Sequence, residues 1–342
     1  MRSCVMSNVQ KERIRVYSDT LRRFAEWLKG YRKTDGSLDA PDLSCPAYMP
    51  VPFYARATGD PDLLHRTLAY IETRARRDPH FLLAPGRGLL PYRMAWIAMG
   101  AMLGDHLRLA RFLEQQLLPF QDPSTGGFFG TEADWRAGEG EICFDSTANA
   151  CAALCFAGND GAAEKAGGFL RRLVEPQLDT GQRLLCGWHS KHGLITEFDP
   201  KQARVYSLEA GQQAQYLYKL GLLVRAFAFL YCRTGEAADL KLARTFQEWA
   251  VTRYPAVWSN TLGHKLSWSA WTLFTITREK QYLEQACRVV DHLTTLQQPD
   301  GAFHYPEFWP PYSQVQIEFK INIGCQFATW IAYARTMLRG EE

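Results

Sequence analysis

The sequence lacks long apolar runs. No stretch reaches the ~18 residues that a membrane-spanning helix needs, so no part of it reads as crossing a bilayer. It lacks a strong excess of one charge. Thirty-nine Lys and Arg stand against 36 Asp and Glu, for a net charge of +3, which argues against a nucleic-acid or polyanion partner. It lacks a Cys-x-x-Cys pair and any zinc-type spacing. The nine cysteines are scattered and odd in number, and Cys151, Cys155 and Cys287 sit in apolar helical stretches. They read as reduced core residues of a cytoplasmic protein. Residues 1–15 are polar and charged with no apolar core segment, which does not fit a secretory signal. There is no Gly-x-Gly-x-x-Gly after a strand, no P-loop and no Gly-x-Ser-x-Gly elbow. Nucleotide-driven and serine-hydrolase chemistry are therefore not indicated, and the expectation is no cofactor and no metal.

Hydrophobic residues make up 46% and aromatics 13%, enough for a large core. Helical periodicity dominates: Ile14, Tyr17, Leu21, Phe24 and Leu28 step by three and four onto one face. Similar patterns predict about twelve helices, among them Pro61–Arg76 with Asp60 as its N-cap, Tyr92–Leu103, Ser146–Phe156, Ser207–Cys232, Glu279–Leu296 and Gln314–Leu338. Strand signals are few. Gly187 to Phe198 reads as a small hairpin with His192-Gly193 at its turn.

The chain also repeats itself. A helix end, a Gln, a Gly turn and aromatics occur at Gln121-Asp122-Pro123-Ser124-Thr125-Gly126-Gly127-Phe128 and again at Gln297-Gln298-Pro299-Asp300-Gly301-Ala302-Phe303. Looser copies lie at Trp27 to Ser37 and Pro176 to Gly181. Recurrence of this kind fixes architecture before anything else. Tight connections at 57–61, 233–237 and 277–280 join an apolar helix to a more charged one. Longer ones lie at 31–42, 78–91, 121–142, 177–205, 254–263 and 298–313. Six helical hairpins closed in a ring fit this alternation, with small-residue helices such as Ser146–Ala153 inside and charged ones outside. The expectation is all-α, an (α/α)6 toroid over residues 1–342 as a single domain, with 1–11 a flexible N-terminal segment.

The Gln/Gly/aromatic turns resemble those of the α/α-toroid superfamily, which holds terpenoid cyclases, protein prenyltransferase β subunits and the six-hairpin glycosidases and sugar epimerases. The resemblance implies architecture more than chemistry. The Asp-x-Asp-Asp run of class II cyclases, the Asp-Asp-x-x-Asp motif and the prenyltransferase zinc ligands are all missing, so no catalytic residue carries over.

In such a ring the long loops converge on one mouth, which selects the candidates. Asp145 opens a small-residue helix, as an N-cap or as a carboxylate acting as acid or base. Tyr206, Glu209 and Gln213 would share a helix face. His304 follows the last repeat turn, either as a solvated loop residue or as a proton-transfer group, the role histidine's chemistry suits. Glu318 would point inward with Asn322. Trp188, His189, Trp258, Trp268, Tyr305, Trp309 and Tyr312 would bind substrate, stacking sugars or stabilising a cation. His189, His192 and Glu197 could suggest a metal site but lack helical spacing. The first functional reading is a terpenoid-cyclase-like enzyme, performing cyclisation, isomerisation or elimination on a bulky, largely apolar small molecule in a central aromatic cavity. The alternatives are a six-hairpin glycoside hydrolase or epimerase, pairing Asp145 with Glu209 or Glu318, and a non-catalytic binding toroid.

Overall fold

Twelve helices of eight residues or more run through the computed structural model, which describes residues 7–39, 45–78, 80–83, 90–179, 182–212, 215–306 and 310–340. Six form an inner layer: α2 (Val51–Thr58), α4 (Leu90–Leu103), α6 (Phe144–Ala157), α8 (Tyr218–Thr234), α10 (Lys265–Thr277) and α12 (Ile317–Gly340). Each packs on the next, and α12 packs back on α2. The outer layer is α1 (Asn8–Lys29), α3 (Pro61–Arg77), α5 (Leu107–Leu117), α7 (Asp160–Val174), α9 (Ala237–Arg253) and α11 (Lys280–Thr295). Five hairpins are consecutive in the chain. The sixth joins its two ends, with α1 lying on α12. The (α/α)6 toroid therefore closes only when both ends of the chain are in place. Arg13 on α1 bridges Glu284 and Asp291 of α11 at 2.7 and 2.8 Å, and the Tyr17 hydroxyl donates to Asp291 at 2.6 Å.

Burial follows the layers. Every residue of α6 from Phe144 to Cys155 is buried, as the small side chains there predict. The outer helices bury one stripe, such as Tyr282, Leu283, Ala286, Cys287, Val289, Val290 and Leu293 of α11. None of the eight cysteines among the described residues forms a disulfide. The same five hairpins turn through a left-handed residue: Gly59, Gly158, Gly235, and, without the help of glycine, Asp105 and Arg278.

The repeated turns are a docking device. Gln121 pairs with Phe128, Gln297 with Phe303 and, in the looser copy, Arg32 with Leu38. The Gln121 amide donates to the Gly126 carbonyl and to Ala162 of α7, each at 2.9 Å. Gln297 donates likewise to Gly301 and to Thr20 of α1, each at 2.9 Å. Gly126 and Gly301 have φ of +80° and +98° and lie flat on an outer helix, where a Cβ would come within 2.4 Å of the Lys165 oxygen or 2.5 Å of the Arg23 oxygen. Each turn thus ties one hairpin to the next, and the motif holds the ring together.

Three details depart from the sequence reading. The helix α1 already begins at Asn8, with Ser7 and Gln10 as a reciprocal cap, so residues 8–11 are helical. The stretch after Tyr206 is not a helix. It forms β5 (Ser207–Glu209), paired with β2 (Arg183–Leu185), and α8 starts only at Tyr218. The expected hairpin is present as β3 (Gly187–His189) and β4 (Gly193–Leu194), with β1 (Glu141–Cys143) added to its other edge.

Gly301→Ala and Gly126→Ala each lose about 1–3 kcal/mol through forced left-handed backbone and displacement of the outer helix. Gly161→Ala, where a Cβ meets nothing within 4 Å, serves as the control and leaves stability unchanged or slightly raised. Urea denaturation of the three variants checks this.

Candidate active site at the ring mouth

Each inner helix follows a long connection, and the first five end in a short turn, so the inner-helix N-termini face the same end of the ring. Each contributes a partial positive charge there. Below this mouth the axis is filled. One side chain from each inner helix meets there: Phe53, Trp96, Asn149, Arg225, Trp268 and Trp330. Trp268 stacks on Trp330 at 4.6 Å and lies 5.1 Å from Trp96, and Phe53 meets both Trp96 and Trp268 edge-on at 4.8 and 5.5 Å. The Arg225 guanidinium lies 3.6 Å over the Trp268 ring and donates to Asn149. This aromatic layer is a floor, and the open central aromatic cavity expected from the sequence is closed at that depth. Three clefts of 470, 500 and 300 Å³ open elsewhere, among outer elements.

One turn above the floor lies a polar layer. Asp145 is on the first turn of α6, yet it does not cap the helix, because the Cys143 sulfur accepts from the Ser146 amide. Its carboxylate instead accepts from Lys219 Nζ at 2.9 Å and from the Tyr218 hydroxyl at 3.0 Å, both on the first turn of α8. Gly221 lets α8 lie close against α10, since a Cβ there would sit 2.7 Å from the Lys265 backbone. Across the gap, Lys265 opens α10. Its ammonium lies 3.0 Å from His264 Nε2 and 4.7 Å over the Tyr218 ring. His264 Nδ1 is 2.7 Å from the Thr261 carbonyl. A carbonyl only accepts, so Nδ1 carries a hydrogen and Nε2 is the titrating position. Gln326, 3.2 Å from that nitrogen, donates to Asn322 at 2.8 Å, and Asn322 donates to the Pro46 carbonyl.

The electrostatics follow from burial. Lys265 is pushed down to about 7, chiefly by desolvation, with Asp145 opposing and Arg225 assisting. His264 is held well below its usual range by burial and by the Lys265 charge. Burial lowers Lys219, but the Asp145 charge and hydrogen bond, together with the nearby Cys186 and Cys143 thiols, outweigh it, and the net direction is up. Tyr218 is raised by burial and then by Asp145. The His264–Lys265 pair therefore has room for one excess proton, held between Nζ and Nε2.

Of the expected residues, Asp145, Trp268 and Tyr305 meet in this region, Tyr305 through an edge contact with His264 at 6.0 Å. Others lie apart from it. Tyr206 donates to Glu141 at 2.5 Å and is pushed up to about 12 by burial and by that carboxylate. Glu209 sits on β5, 3.5 Å from Arg183 and in contact with Gln212. His304 lies against Tyr312, whose hydroxyl donates to Asp300 at 2.6 Å. Trp188 packs on Phe169, His189 on His192, and Trp258 under Arg288. Glu139, not Glu197, completes a three-residue group with His189 and His192 that could hold a metal, although its carboxylate pairs with Lys191. Glu318 lies in the first turn of α12. Gln213 and Trp309 fall outside the described residues. The sequence reading missed Tyr218, Lys219, His264 and Lys265. Their signal was a lysine at the start of two apolar helices, where the dipole repels it.

A folded-state value below the unfolded one means that the unfolded chain binds more protons between them, so stability from Lys265 rises with pH above about 7. The Lys265→Met variant should melt above the unsubstituted protein at pH 7, with the gap narrowing toward roughly pH 8.5, where thiols begin to titrate in the unfolded chain. Thermal denaturation across this range is the check. A constant or widening gap contradicts the assignment.

No protein-family model and no curated protein matches the chain. Solved structures do match its fold. The GH76A α-1,6-mannanase from Salegentibacter sp. HEL1_6 is 13% identical, with a TM-score of 0.69 over 94% of this chain and 99% of that one. A variant of the type II terpene cyclase MstE from Scytonema, in complex with geranylgeranyl dihydroxybenzoate, is 14% identical, with a TM-score of 0.60 over 96% and 99%. The Lin0763 protein from Listeria innocua is 14% identical, with a TM-score of 0.61 over 95% and 98%. The mannanase and the cyclase are α/α toroids, and this chain has their fold.

Proposed function

We propose that the protein is an enzyme of proton transfer, a cyclase-like isomerase acting at the ring mouth above the aromatic floor. The observation that carries this is the buried contact of Lys265 Nζ with His264 Nε2 at 3.0 Å, opposite the Asp145–Tyr218–Lys219 group. Isomerisation and cyclisation return the proton that they take. One shared proton, delivered to one carbon and recovered from another, is sufficient, and the substrate's mass is unchanged. An ammonium titrating near 7 is matched to a carbon activated by a neighbouring carbonyl. It is far too weak an acid for an isolated double bond. The substrate class is thus a bulky, largely apolar molecule bearing a ketone, enone or carboxyl group, lying on Trp268, Tyr218 and Tyr305. Asp145 acts in this scheme by fixing Tyr218 and Lys219. The ligand of the Scytonema cyclase, an aromatic acid with a long prenyl chain, is of comparable size and polarity.

The carbohydrate alternative is less well supported. Hydrolysis needs two carboxyl groups roughly 5–10 Å apart, and Asp145, a member of either expected pair, is already held by Lys219 and Tyr218. The mannanase is inactive as a variant at two adjacent aspartates, and no two aspartates are adjacent anywhere in this chain.

The test is incubation in D2O with a panel of prenylated aromatic ketones and polycyclic enones, beside α-1,6-mannotetraose. The expected result is deuterium beside the carbonyl of at least one panel member, at a rate falling 100-fold or more in Lys265→Met. Background exchange throughout the panel, or release of shorter sugars undiminished by Lys265→Met, contradicts the reading.

A further inference from the structure

Among the described residues, the three cations Lys219, Lys265 and Arg225 of the polar layer and floor have one carboxylate partner between them, Asp145. That carboxylate is already taken by Lys219 and Tyr218. Lys265 places one ammonium hydrogen on His264, and no other acceptor for it stands among the described residues. Arg225 is fully buried, and its Nε and Nη1 have no hydrogen-bond partner. Two buried cations therefore lack a counter-charge, and they lie one turn apart, since Arg225 rests on Trp268 and Trp268 follows Lys265 by three residues. Uncompensated charge in a dry interior is costly and points to a partner of opposite sign. The six helix N-termini facing the same space add to the positive potential.

We propose that the mouth is an oxyanion site: the substrate carries a carboxylate or phosphate group that pairs with Lys265, while Arg225, a layer below, contributes charge. This rests on the reading of the mouth as the reaction site and adds what its ligand must bear. The anion would also keep the shared proton on the His264–Lys265 pair, so that the pair meets its substrate in the acid form. The other titratable groups around it are Asp145, Tyr218 and Lys219 above the floor, Arg225 within it, and Tyr305 on the far side of His264.

The test is equilibrium binding by calorimetry at constant ionic strength, with benzoate, its neutral isostere benzamide, sodium diphosphate, and sodium chloride as the blank. Benzoate or diphosphate should bind at least tenfold more tightly than benzamide or chloride, and binding above pH 7 should take up a proton, visible as a dependence on buffer ionisation enthalpy. A benzoate response assigns a carboxylate, and a diphosphate response a phosphate ester. Lys265→Met, shown folded by circular dichroism, should lose at least tenfold. Lys265→Arg should retain the affinity within about threefold while losing deuterium exchange. Equal binding of benzoate and benzamide with no diphosphate response overturns the proposal, as does anion binding that survives in folded Lys265→Met. Neither outcome depends on turnover, so a failure here is separable from a failure of the proton-transfer reading.

Discussion

The meeting of one side chain from each inner helix on the ring axis is the contact on which the rest depends. Phe53, Trp96, Asn149, Arg225, Trp268 and Trp330 come from six different helices, and their mutual contacts fix how far those helices stand apart. A ring of helices with an empty axis would leave apolar surface against water or vacuum. Here the large rings fill it. The consequence is chemical as well as structural. With the axis closed, a ligand approaching the ring from this end stops at the mouth, where the positive inner-helix ends and the lysines of α8 and α10 lie.

Those lysines are placed against local preference. A cation in the first turn of a helix is disfavoured by the dipole, and burial adds desolvation on top. Lys219 is compensated by Asp145, whose position is set by the close packing of α6 against α8. Lys265 is not compensated in the same way. Its nearest partners are a neutral imidazole and the face of a tyrosine. The fold supports this arrangement through its outer layer, where the Gln297 turn and the Arg13–Asp291 pair join the two chain ends and the Gln121 turn joins neighbouring hairpins.

Much of the architecture was legible. The Gln121 and Gln297 turns announce themselves by spacing, and Ser146–Ala153 shows by its small side chains that it is an inner helix. The hairpin at Gly187 was visible from Gly193. The site was less legible for a specific reason. The apolar run from Ser207 looks helical by periodicity, but β5 pairs with β2 across a long chain separation, which no local pattern reveals. That displaced the start of α8 to Tyr218 and hid Tyr218 and Lys219 in the middle of a supposed helix. His264 and Lys265 read as an ordinary polar helix start, and their proximity to Asp145 comes from α8 lying between α6 and α10, a tertiary fact. Asp145 could be singled out because a carboxylate at a helix start is conspicuous, although its partners are lysine and tyrosine and not backbone amides.

Lys265, buried against a neutral histidine above a filled axis, should exchange its proton near neutral pH. Selective 15N labelling of the lysines, with Nζ resonances followed by NMR from pH 5 to 11 and assigned by substitution, measures this directly. The account predicts that Lys265 titrates near 7 and that Lys219 keeps its proton throughout the range. If Lys265 instead titrates with the surface lysines at about 10.4, the polar layer is ordinary solvated surface and the account of the mouth is wrong.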